Sequence, residues 1–96
     1  MSYFSVLIVG TGIKIPSVPD PMIGFATTRC VRALDEESAV EIAKKSILKE
    51  WKDGEYKQSN IGPLPTLETE EVRKIGLLSR LFSKYPNKGY TFYSSE

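Results

Sequence analysis

The sequence contains no histidine and a single cysteine, Cys30. Histidine is the usual general base near neutral pH, because its reference pKa lies at about 6.5. Without it, Ser-His-Asp and Cys-His nucleophile systems cannot be assembled. One cysteine and no histidine cannot complete a zinc or iron–sulfur site. A lone cysteine also forms no internal disulfide, so nothing points to an oxidising compartment. Charge of one sign is missing as well: 13 Lys and Arg stand against 12 Asp and Glu. No net field then draws the chain toward nucleic acid or anionic lipid. Long apolar runs are absent near the start, where Val6–Val9 falls far short of the ~20 residues that span a bilayer. The opening MSYFSVLIVG lacks the basic region of a secretory signal, since the first positive side chain is Lys14. The expectation is a cytoplasmic protein with no membrane contact and no cofactor.

What is present fits one soluble domain over residues 1–96. Hydrophobic residues make up 41% and charged residues 26% of the 96, ordinary values for a globular protein. Residues 3–9, YFSVLIV, are β-branched and aromatic and predict a strand. Both of its faces are largely apolar, which places it inside a sheet. Gly10 and Gly12 predict a bulge, with Ile13 and Ile15 continuing the strand. Three prolines at 16, 19 and 21 make residues 16–22 a loop. A second strand follows at 23–33, with Phe25, Thr27, Arg29, Val31 and Ala33 on one face. The two strands read as a long antiparallel hairpin.

Asp35 is suited to cap a helix, and Glu36 and Glu37 put negative charge at its positive end. Val40, Ala43, Ile47 and Trp51 form its apolar stripe, and Gly54 ends it. Residues 55–66 read as loop. Residues 67–75, LETEEVRKI, admit a strand or a helix; a strand at 67–74 and a short helix at 77–84 is the favoured reading. Pro86 ends that helix, and residues 90–93 form a last strand. The order is β-β-α-β-α-β. The expected fold is an α+β two-layer sandwich: one mixed four-stranded sheet with the helices on one face. In it the second strand crosses through the first helix to a parallel third strand.

Few motifs carry chemistry. Gly10-Thr11-Gly12 matches the start of a dinucleotide fingerprint, but Ile15 occupies the third glycine position and Pro16 stands where a helix should open. A bulge is the simpler account. Asp35, Glu36, Glu37 and Glu41 form one acidic group, and Glu68, Glu70 and Glu71 another. Such groups can bind Mg²⁺, but helix capping accounts for the first and the solvated side or edge of a strand for the second. Ser79 and Ser83 lie near Lys84, but neighbouring helix positions point apart. Cys30 within an apolar strand behaves as a small hydrophobe. The candidate binding residues are Arg29, Arg80, Lys84, Lys88, Tyr90 and Tyr93, whose cations and aromatics could stack bases and hold phosphates.

Two frames, Gly24-Phe25-x-Thr27-Thr28-Arg29 and Gly89-Tyr90-Thr91-Phe92-Tyr93, resemble those of a group of small uncharacterised bacterial proteins. That resemblance covers most of the chain and implies no particular activity. Pro21, Gly24 and Asp35-Glu36-Glu37-Ser38-Ala39 are also similar to the strand–turn–strand and acidic helix start of HicB-type antitoxins, over about residues 3–47. The functional expectation is a small non-catalytic binding module that works through protein contacts and self-associates through a sheet edge or its aromatic last strand. The alternative is a nucleic-acid-binding or antitoxin-like protein using the basic, aromatic groups.

Overall fold

The computed structural model describes residues 1–54, 56–76 and 89–94. It contains strands β1 (Ser2–Ile15) and β2 (Met22–Ala33), helices α1 (Glu36–Asp53) and α2 (Tyr56–Ser59), and strands β3 (Thr66–Ile75) and β4 (Thr91–Ser94). The α+β class and the single four-stranded sheet are as expected. So is the strand reading of the ambiguous stretch before Ile75. The helix expected at 77–84 lies outside the described residues.

The sheet order is β3-β1-β2-β4, and β1 pairs antiparallel with both its neighbours, as β2 does with β4. The sheet is therefore not mixed. The crossover from β2 through α1 does return the chain in the direction of β2, but it lands beyond β1. Tyr3 pairs with Ile75 and Thr11 with Thr66 on that side. The expected parallel pair is thus split by β1, whose two apolar faces suit it to the centre.

Local chemistry explains the element ends. The β1–β2 register shifts between Thr11 and Ile15, and Gly12 sits there at φ +87°, a conformation that favours glycine. Past the shift, the Lys14 N–H donates to Asn60 Oδ1 at 2.8 Å, and the Ile61 N–H donates to the Lys14 carbonyl at 2.9 Å. This straps the residues after α2 onto β1. The region 55–66 is thus not all loop, because α2 adds one helical turn. Asp35 caps α1 by accepting from the Ser38 N–H at 2.8 Å. That hydrogen bond holds the Asp35 carboxyl below its ordinary pKa. At the other end the Gly54 N–H closes on the Glu50 carbonyl at 3.0 Å.

The core lies between α1 and one sheet face. Phe4, Val6, Ile8, Phe25 and Ala33 meet Ala39, Ala43, Ile47 and Trp51 there. Ala39 takes the place expected for Val40, which is only half-buried. The small Ala39 and Ala43 let the helix approach the sheet closely, and Trp51 fills the space beyond them. A Cβ on Gly10 would meet the Phe25 ring at 2.2 Å, so the bare backbone of β1 makes room for that ring. Among the described residues, no helix is long and apolar enough to cross a membrane.

Candidate interaction site

Arg29 is the most unusual residue of the sheet. Strand alternation puts it in phase with Phe25, Thr27 and Ala33, facing α1. It is only 3% exposed. A buried guanidinium needs a counter-charge. Glu50 of α1 supplies it, accepting from Nη1 at 2.8 Å and from Nη2 at 3.1 Å. This two-point geometry is the strong form of an Arg–carboxylate contact. Arg29 Nε also donates to Thr27 Oγ1 at 3.3 Å, and Thr27 Oγ1 in turn donates to the Gly89 carbonyl at 2.6 Å.

Tyr90 closes the group. Its hydroxyl donates to Glu50 Oε1 at 2.5 Å, and its ring lies 5.1 Å from the guanidinium carbon. The same ring stands edge-on to Phe25 at 5.0 Å and to Trp51 at 6.0 Å. Trp51 stacks between Phe25 at 5.2 Å and Tyr56 at 4.7 Å. Phe92 of β4 joins this aromatic cluster. Burial is the largest single influence on Arg29 and works against its charge, but the Glu50 hydrogen bonds together with the electrostatic pull of Tyr90 and Glu50 outweigh it and hold its pKa above the ordinary value. Burial pushes the Tyr90 phenol up, and the hydrogen bond to Glu50 pushes it further; the Arg29 charge acts the other way.

These contacts tie together β2, α1 and the approach to β4. The described members of the expected binding set therefore divide. Arg29 and Tyr90 do come together, but their polar atoms turn inward to Glu50. Tyr93 lies on the opposite face of the sheet, against the bare backbone of Gly24, and is 40% exposed. Arg80, Lys84 and Lys88 lie outside the described residues. Arg29 is thus an internal counter-ion, and a basic surface built on β2 loses it. Glu50 escaped the sequence reading. The available signal was an arginine in phase with core residues, which requires an acid on the facing helix. Glu50 is the acid beside the Ala43–Ile47–Trp51 stripe.

Around the outside, the α1 and β3 acids remain apart. No group of three or more Asp, Glu or Cys is placed to hold a metal ion among the described residues. Cys30 is half-buried and free. Apolar side chains do gather where β2 passes into α1. There Met1, Ala33, Leu34 and Ile42 line a hollow of about 320 Å³, edged by Ser38, Glu41 and Lys45. Leu34 is 73% exposed and Ile42 45%. Compared with family models, curated proteins and solved structures, the chain matches none.

Proposed function

We propose that this protein is a small, non-catalytic cytoplasmic binding module that works through protein contacts. The Leu34–Ile42 hollow carries this reading. Two large apolar side chains stand in water there beside a concave surface, and a polar edge of Glu41 and Lys45 frames them. Exposed apolar groups with a charged rim are the usual composition of a protein-binding surface. The buried Arg29–Glu50–Tyr90 group supports the same reading from inside, because it fixes α1 on the sheet and so presents the hollow on a rigid base.

The test is site-specific photo-crosslinking in the cells the protein comes from. A photoreactive residue at position 34 or 42 should capture a defined protein, and Ile42→Asp should abolish the capture from position 34. Capture that is unchanged by Ile42→Asp, or equal capture from Val18, exposed in the loop at the opposite end of the β1–β2 hairpin, would overturn the reading.

A further inference from the structure

The outer edge of β3 forms no strand pair among the described residues, because β3 ends the sheet order β3-β1-β2-β4. It is ten residues long and carries the run Glu70-Glu71-Val72-Arg73-Lys74. The order of charge is two acids, an apolar residue, then two bases. Reversed in direction, such a run is its own electrostatic complement. Antiparallel pairing about a two-fold axis is the one arrangement that presents the run to its own reverse.

We propose that two copies of this chain join their sheets edge to edge through β3, antiparallel about Val72. This deepens the protein-contact reading above and rests on it. Glu71 of each copy then lies opposite Arg73 of the other and Val72 meets Val72, on the regular stretch of β3 that follows the bulge at Glu70, where Leu7 pairs with Glu71 but Ile8 with Thr69. Backbone pairing along the edge holds the copies together, and the opposite-charge pairs select the register. Moving the two-fold axis by one residue, from Val72 to Glu71, would bring Glu71 level with Glu71, so the charges also oppose that alternative symmetric register.

The charges are free to make the exchange. Arg73 Nη2 reaches Glu71 Oε1 at 3.4 Å within one chain, with the two side chains 65% and 58% exposed. That contact holds loosely in water. Charged residues on a sheet edge commonly prevent pairing. A barrier of that kind works best with one sign of charge, which repels any second copy. The alternation here about Val72 cancels instead.

Sedimentation equilibrium on the full chain tests this. The wild type should be a dimer at high micromolar concentration, and added salt should weaken it. Glu71→Arg and Arg73→Glu alone each turn two attractive pairs into repulsive ones, and each should raise the dissociation constant about tenfold or more. The double variant E71R/R73E restores a self-complementary run and should restore the dimer. Trp51 fluorescence serves as the folding check for each variant. Val72→Cys with Cys30→Ser provides an independent readout. Directly opposed residues of an antiparallel pair lie about 4.5–5.5 Å apart at Cα, within disulfide reach, so mild oxidation should give a covalent dimer. A monomeric wild type, or a dimer indifferent to the single swaps, or a double variant no better than the singles, would overturn the proposal. Each of those results leaves the crosslinking test at the Leu34–Ile42 hollow standing on its own.

Discussion

Replacing Glu50 by alanine strips the buried Arg29 of its carboxylate partner and leaves the Tyr90 hydroxyl without its acceptor. Breaking one side of a buried ion pair costs about 3–5 kcal/mol, because the remaining charge stays desolvated. The Glu50 side chain is 24% exposed while Arg29 is at 3%, so water can reach the vacated space but not most of the guanidinium. The lower end, about 3 kcal/mol, is the expected value. A domain of this size has roughly 5–14 kcal/mol to lose. The melting temperature should fall by about 12 °C or more. Urea unfolding followed by Trp51 fluorescence measures it cleanly, since Trp51 is the sole tryptophan and lies in the same cluster. The triple variant R29M/E50L/Y90F removes the charge problem with apolar groups of similar bulk. It should return to within about 1–2 kcal/mol of the wild type. A loss under about 1 kcal/mol for Glu50→Ala, or a triple variant as unstable as the single, would refute the argument that an uncompensated charge is what the network prevents.

Three further outcomes follow from the same geometry. Trp51→Ala, at a site 1% exposed, should cost about 3–5 kcal/mol in the same urea assay. Gly10→Ala would put a methyl 2.2 Å from the Phe25 ring and should cost about 1–3 kcal/mol, read as a shift in the urea midpoint with little change in slope. Alkaline titration should expose Tyr90: its folded-state pKa is raised, so its contribution is complete below about pH 10, where a free phenol ionises, and is lost as pH climbs toward the folded value. Calorimetry above that pH should show a shallower fall in stability for Tyr90→Phe than for the wild type.

Much of the fold was legible because local signals and burial agree. The Asp35 cap, the Gly54 stop, the bulge near Gly12 and the four strands all follow from short-range chemistry. The pairing of β3 with β1 did not, because no local residue records which edge a crossover strand will join. The nearest clue was the apolar character of both β1 faces, which calls for neighbours on both sides. Val40 and Ala39 differ by one helix position, and only the close approach of α1 to the sheet decides between them. At the site, Arg29 was visible as a cation and Tyr90 as an aromatic, and both looked like surface groups. Their true role depends on Glu50, some twenty residues away from Arg29 and forty from Tyr90. Periodicity on β2 alone already placed Arg29 inward, but the partner on α1 becomes evident only once helix and sheet are docked.

The central position of β1 has a consequence for how the chain reaches its native state. The β1–β2 hairpin joins neighbours in sequence and can close early. The second edge of β1 waits for β3, whose pairing brings Tyr3 beside Ile75. Such distant closures place folding in the slower, millisecond-to-second range typical of sheet-rich domains. During that interval the apolar Val6–Val9 run has one edge without a neighbour, a template for pairing with other chains. The delay makes aggregation during refolding a matter of protein concentration. The charges of β3 cover that edge as soon as the strand docks.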